Sequence, residues 1–271
     1  MAVNPSTGKI SVVGTDARNE VRFEPVLNGR FLRVNFSSFF ENQSTDVVDL
    51  NPHLDYQTSS VPVSERQKSI GDPRGIAWRS DGSKAYVTGM GSNNLITIDG
   101  NGNRIGSQPI QVGEGPTGIV LHESSNRAFV LNKFDASISI INMSSDAEVQ
   151  RVDFFDPTPI EIKNGRKHLY DTQIGSGTGH VACGSCHVDG KTDRLAWDLG
   201  DPSGDWQDFS IGADLGIGGN FNPTQQGFHP MKGPKTTQTL QDIIDHGLMH
   251  WRGDREDLAA FAGAFVHLQG A

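Results

Sequence analysis

The chain has 271 residues and a formal net charge of −9, from 32 acidic against 23 Lys and Arg residues, which argues against non-specific binding to nucleic acid or anionic membrane. No apolar run approaches the roughly 18 residues that a membrane span needs, and 2 cysteines are too few for a disulfide framework. With 32 glycines and 13 prolines the chain has many turns, without the repetition of a disordered or collagen-like sequence.

The start, MAVNPSTGKISVVG, has no basic segment ahead of a long apolar one, so no signal peptide is read there. Residues 4–25 and 44–51 (STDVVDLN) read as parts of one strand-rich unit. Further on, residues 71–99 and 114–142 align with an offset of 43 residues. The matches are Pro73/Pro116, Gly75/Gly118, Ile76/Ile119, Ala85/Ala128, Tyr86/Phe129, Val87/Val130 and Ile98/Ile141. A repeat of about 40–45 residues made of short strands is the signature of a β-propeller blade. LITI (95–98) and ISII (138–141) fit its strands, and SDGS (80–83) is a turn between two of them. Residues 1–155 are therefore expected to form a partial β-propeller of about three to four blades. The competing architecture is a β-sandwich with two similar hairpins. Because a propeller has about 4–8 blades, either blades lie upstream or the ring closes in an unusual way.

From Asp156 the strand alternation stops. A short helix is predicted over 161–170, a long glycine-rich loop over 203–230, and helices over 236–251 and 255–270. Leu258, Phe261, Ala262 and Phe265 share one face of the last of these. Residues 156–271 are thus expected to form an α-helical domain. FAGAFVHLQGA ends the chain inside an apolar helical pattern with no cap, and both ends read as those of a segment of a longer protein.

That second domain contains VACGSCHVDG (181–190), with both cysteines of the chain, Cys183 and Cys186, followed directly by His187. The C-x-x-C-H spacing is specific for c-type haem attachment. Two thiols separated by two residues reach the two vinyl groups along one porphyrin edge, and the adjacent histidine reaches the iron as proximal ligand. Zinc is the main rival. Structural zinc takes four protein ligands, and completing that set would need a cramped pair such as His180 with His187. A redox C-x-x-C would follow a strand of a thioredoxin-like unit, which is not visible. The expected cofactor is one covalently attached haem c.

The surrounding residues resemble a known family. GRKHLYDTQIGSGTGHVACGSCHVDGKTD (165–193) is similar to the first haem segment of the bacterial di-haem cytochrome c peroxidases. Gly165, Leu169, Tyr170, Asp171, Gly175, Ser176, Gly177, Cys183, Cys186 and His187 match it in order. HPMKGPKTTQTLQDI and HWRGDREDLAAF (250–261) are more loosely similar to that family's stretch between its two haems. AYVTGMGSNNLITID resembles the YVTN-type propeller repeat, and the combination resembles the bacterial YVTN-propeller/cytochrome c fusion proteins. Two departures stand out: the loop after the haem motif is longer than in the peroxidases, and this chain has one C-x-x-C-H where they use two.

For the sixth iron ligand two candidates lie close together. The resemblance implies His229, whereas general cytochrome c chemistry points to Met231, which would raise the potential. His250, His246, His180 or an open position are the remaining choices. The resemblance also implies a role for Trp251 in passing electrons between haems, against a plain core aromatic. Arg252 and Arg255 are candidates to pair with haem propionates, since a guanidinium matches a carboxylate bidentately; Arg255 is equally placed to pair with Asp242 or Asp245. Trp197 and Trp206 are expected to pack on the haem face or under the long loop. The aspartates of 189–214 lack a calcium-loop pattern and read as a solvated acidic loop.

Three functions compete: electron transfer through one haem on a propeller scaffold, the first-haem half of a di-haem peroxidase-like oxidoreductase, and a propeller binding module with a haem sensor. Peroxidase chemistry needs an open iron position and a distal acid–base group, and the sequence supplies no convincing one. A redox partner protein is expected, as is a second haem domain beyond residue 271 if the enzyme reading holds. Because thioether attachment takes place outside the cytoplasm, the location implied is the bacterial periplasm or cell surface.

Overall fold

The computed structural model describes residues 1–27, 29–206, 229–244, 246, 249–253, 255 and 257–271. Its first part consists of three four-stranded antiparallel sheets, each a simple meander. The first is β1 (Ala2–Val3), β2 (Ile10–Ala17), β3 (Leu32–Phe39) and β4 (Asp46–Asp49). A short helix, α1 (Glu24–Leu27), interrupts the β2–β3 connection, and α2 (Val63–Arg66) follows the sheet. The second sheet is β5 (Pro73–Trp78), β6 (Lys84–Gly89), β7 (Asn94–Asp99) and β8 (Arg104–Gln111). The third is β9 (Pro116–His122), β10 (Arg127–Asn132), β11 (Ser137–Asn142) and β12 (Ala147–Asp153). The bounds of β10 and β11 are those of β6 and β7 moved by 43 residues, so the sequence repeat is a repeat of whole blades. This is a partial β-propeller of three blades.

The blades stack through apolar faces set by strand alternation. Val34 and Phe36 of blade 1 meet Ile76, Ala85, Val87, Ile96 and Ile98 of blade 2. Tyr86, Leu95, Ile110 and Val112 of blade 2 meet Ala128, Val130, Ile141 and Met143 of blade 3. Each large side chain buried this way contributes about 1.5–3 kcal/mol. Polar clamps add register: the Tyr86 hydroxyl donates to Asp146 (2.9 Å), whose other oxygen accepts from Lys84 (2.5 Å).

Residues 156–271 are less helical than the sequence pattern predicts. The predicted helix over 161–170 is present as α3 (Ile160–Tyr170), followed by α4 (Thr172–Gly175), which Asp171 caps by accepting from the Gln173 and Ile174 N–H groups. The helix predicted over 236–251 does not form among the described residues. In its place β14 (Lys235–Thr236) pairs with β13 (Ala196–Trp197), and the backbone beyond it bonds to the C-x-x-C-H segment. The helix predicted over 255–270 is reduced to a 3₁₀ turn, Ala259–Phe261, and α5 (Ala262–His267). Its apolar stripe is only partly covered: Phe261 and Phe265 are half-buried, whereas Leu258 is 52 % exposed. The loop predicted over 203–230 lies mostly outside the described residues. No helix among the described residues is long and apolar enough to cross a membrane.

A third core joins the two halves. Leu27, Phe31 and Leu32 from the β2–β3 region pack with Val181 and Trp197, and Cys186, Leu195, Leu199 and Leu268 lie against them. Backbone bonds tie the same surfaces: Thr172 N–H donates to Gly91 (2.8 Å) and Val61 N–H to Gly177 (2.8 Å).

Candidate functional site

Cys183 opens a 3₁₀ turn, Cys183–Ser185, and its carbonyl accepts from the N–H groups of Cys186 (3.2 Å) and His187 (2.9 Å). One turn of backbone therefore holds both thiols and the imidazole together. Neither cysteine is in a disulfide. The Cys183 sulfur accepts from Gln269 Nε2 (3.3 Å), and Cys186 sits in the third core beside Asp193. Burial pushes both thiols up, and Asp193 raises Cys186 further. A redox C-x-x-C has the opposite electrostatics, a thiolate stabilised by positive surroundings.

His187 is fixed from outside its own segment. Its Nδ1 lies 2.8 Å from the Gln238 carbonyl. In that geometry Nδ1 carries the proton and donates, which leaves the Nε2 lone pair for a ligand; histidines that bind metals are commonly oriented by such a bond. Burial lowers the His187 pKa, which favours the neutral ring. Residues 235–240 act as a strap over the motif. The Thr237 N–H donates to Leu195 (3.1 Å), the Thr237 carbonyl accepts from Thr192 Oγ1 (2.9 Å), and the Leu240 N–H donates to Gly190 (3.0 Å). These outward bonds use the groups an internal helix would need, which is why the helical pattern there is not realised.

Asp193 is the hub on the other side. It accepts from the Leu195 N–H (2.9 Å) and from Trp197 Nε1 (2.8 Å). Trp197 is 4 % exposed and meets Phe31 edge-on with centroids 5.4 Å apart. From the propeller, Arg74 of β5 reaches both Asp72 (3.0 Å) and Asp189 (3.3 Å), the latter two residues after His187.

The other predicted site residues are distributed differently. His229 Nδ1 accepts from the Met231 N–H (2.9 Å), and the His229 carbonyl accepts from Arg252 Nη1 (3.0 Å), so His229, Met231 and Arg252 form one local cluster. Met231 is 42 % exposed. The His250 ring stacks edge-on with Phe261 at 4.7 Å. His180 is buried with Nε2 3.2 Å from the Leu32 carbonyl, its ring edge-on to Tyr56 and its Nδ1 without a hydrogen-bond partner. His246 pairs with Asp242 (3.3 Å), and Asp245 lies outside the described residues. Arg255 forms an isolated bridge with Met249.

Trp251 is 59 % exposed rather than a core aromatic, with Nε1 donating to the Thr236 carbonyl (2.8 Å) of the strap. Trp206 is 63 % exposed, and most of the loop predicted to cover it lies outside the described residues. The acidic stretch is not uniformly solvated, since Asp198 is 6 % exposed; Asp208 and Asp214 lie outside the described residues. Among the described residues no three His, Cys, Asp or Glu side chains converge to hold a metal ion. Sequence reasoning missed Gln238, Asp193, Gln269 and Arg74. The Asp193–Trp197 pairing is local but carries no recognised spacing signal, and Gln238, Gln269 and Arg74 act across long separations.

No protein-family profile and no curated protein matches the chain. Among solved structures it is similar to hydrazine synthase of Kuenenia stuttgartiensis, with 16 % identity and a TM-score of 0.41 over 52 % of this chain and 44 % of that one. It is similar to apo AztD of Citrobacter koseri, with 14 % identity and a TM-score of 0.31 over 45 % and 31 %. A streptogramin B lyase gives 13 % identity and a TM-score of 0.32 over 45 % and 37 %. The chain thus spans less than half the length of these structures. Likenesses this distant carry no functional argument, and the propeller assignment rests on the three sheets themselves.

Proposed function

We propose that this chain is a c-type haem protein that transfers electrons, with the propeller as the scaffold of the haem segment. The observation that carries the reading is the Nδ1–Gln238 carbonyl bond of His187, directly after two free thiols on the same turn. This donor set fits covalent haem: Cys183 and Cys186 would hold the porphyrin through thioethers, and His187 Nε2 would ligate the iron. The haem would supply a one-electron couple, tuned by its axial ligands, nearby hydrogen bonds and burial. The protein's own part is to keep the imidazole neutral and oriented and to bury the attachment edge against Trp197 and Leu32.

Zinc fits less well, because among the described residues no three His, Cys, Asp or Glu side chains converge to hold a metal ion. The likeness of the blades to YVTN repeats, the periplasmic or cell-surface location and the relationship to the di-haem peroxidases belong to this same reading. Peroxidase chemistry would need a second haem, since the 2 cysteines of this chain make one attachment motif.

The test is to express the chain with c-type maturation machinery and titrate it with reductant and oxidant. A reversible change between ferric and ferrous haem spectra is expected, with His229, Met231 and His250 variants showing which side chain changes the ferric spectrum. A protein that matures without any redox-active chromophore contradicts the reading.

A further inference from the structure

A cavity of about 410 Å³ lies where the propeller meets the C-x-x-C-H segment. Blade 1 contributes Ala17 and Leu32 to its walls, and blade 2 contributes Asp72 and Arg74. The remaining wall is the segment itself, with Ser185 inside the motif and Val188 directly after His187. Clefts between packed units are a preferred place for cofactors. The apolar lining is continuous with one of the attachment thiols. Ala17, Leu32, Leu195 and Trp197 line the cavity, and the same residues pack with Cys186 in the third core.

The charges of the cavity are unevenly used. Asp72 pairs with Arg74, whose guanidinium also reaches Asp189. Asp193 accepts from the Leu195 N–H and from Trp197 Nε1. Arg194 is different: it is exposed, and among the described residues its guanidinium makes no hydrogen bond or ion pair.

The backbone of Arg194 is nevertheless fixed. Its φ is +61°, in the left-handed region that favours glycine. The Thr192 hydroxyl accepts from the Arg194 N–H (3.0 Å) and donates to the Thr237 carbonyl (2.9 Å), so the strap that orients His187 also holds Arg194. Strained conformations persist where the surroundings over-determine them, commonly at ligand sites.

Haem has the matching distribution of polarity: a flat apolar macrocycle with two carboxylates on the edge away from its vinyl groups. We infer that this cavity takes the macrocycle attached at Cys183 and Cys186, and that Arg194 at its rim pairs with the propionates. A guanidinium matches a carboxylate bidentately. Arg252 and Arg255, the candidates named from sequence, do not line this cavity. The inference rests on the proposed function and adds to it the surface against which the haem lies.

A positive charge held beside the propionates favours ferrous over ferric haem, because the ferrous form carries one positive charge less. The test is the midpoint potential of the matured chain and its variants, with covalent haem checked by mass and folding by thermal midpoint. Arg194→Gln should carry haem, melt with the parent and show a lower potential. Arg194→Lys keeps the charge and should stay near the parent. Thr15→Glu brings a negative charge to the cavity wall from blade 1, outside the attachment segment, and should also lower the potential. If Arg194→Gln fails to mature, Thr15→Glu decides alone. Arg127→Gln removes the same charge from β10 of blade 3 and should leave the potential unchanged. Haem-loaded Arg194→Gln or Thr15→Glu at the parent's potential overturns the inference, as does Arg127→Gln shifting it as far as Arg194→Gln. A parent found at its bare polypeptide mass removes the haem itself, and this inference with it.

Discussion

His180 shows how a single buried ring makes stability depend on pH. It is 1 % exposed, one nitrogen faces the Leu32 carbonyl, and desolvation holds its pKa down to about 4, against an ordinary value of 6.5. The unfolded chain therefore takes up the proton first. The contribution of a neutral His180 is complete above about pH 6.5 and is lost as pH falls from there towards 4. The expected size is roughly 3 kcal/mol across that window. Denaturant midpoints measured for the parent and for His180→Gln should show a smaller acid-side decline in the variant; equal declines would remove His180 as the cause. Ala136 makes a second residue-scale case. It holds φ +53°, a left-handed conformation, at the β10–β11 turn where the preceding blade uses Asn93 at +54°. Ala136→Gly relieves that strain and should stabilise the protein by about 0.5–1 kcal/mol in chemical denaturation.

At the scale of elements, the blades were legible because their period is local. Pro73 and Pro116 start equivalent strands, and the 43-residue offset persists through the hairpins. The strap at 235–240 was not legible, because an apolar pattern compatible with a helix does not reveal that its backbone is bonded to residues 40 and more positions away. His187 and Gln238, 51 residues apart, illustrate this. The C-x-x-C-H turn was readable as a motif, whereas its supports Asp193, Gln269 and Arg74 became visible only in the packed chain. Turns matter as much as strands for blade contact. Gly102, at φ +91°, sits in the β7–β8 turn with its open side against the Phe36 ring of blade 1. Gly102→Ala combines a disfavoured φ with a clash and is expected to cost about 2–4 kcal/mol. Thermal denaturation checks this, and an unchanged midpoint would mean that the blade 1–blade 2 contact is looser than described.

For the molecule as a whole, the boundary at residues 155–156 separates two sequence textures but not two independent sets of contacts. Trp197 and Cys186 share a core with Leu27, Phe31 and Leu32, and Arg74 bridges to Asp189. The C-terminal Gln269 closes the same region by donating to Cys183. The propeller and the C-x-x-C-H segment are accordingly expected to unfold together, with tryptophan fluorescence and far-ultraviolet circular dichroism giving coincident transitions. Separate transitions would mean that the shared core is weaker than its burial indicates. This arrangement gives the scaffold a physical role, since blade 1 supplies one wall of the site and the strap orients His187.

The proposed function stands or falls on covalent haem at Cys183 and Cys186. The most direct measurement is the mass of the denatured protein after expression with c-type maturation machinery, for the parent and for the double variant Cys183→Ser/Cys186→Ser. The expected result is a parent heavier by one haem through denaturation and a double variant at the mass of its bare chain. A parent found at its bare polypeptide mass, under conditions in which a control cytochrome c matures, would contradict it.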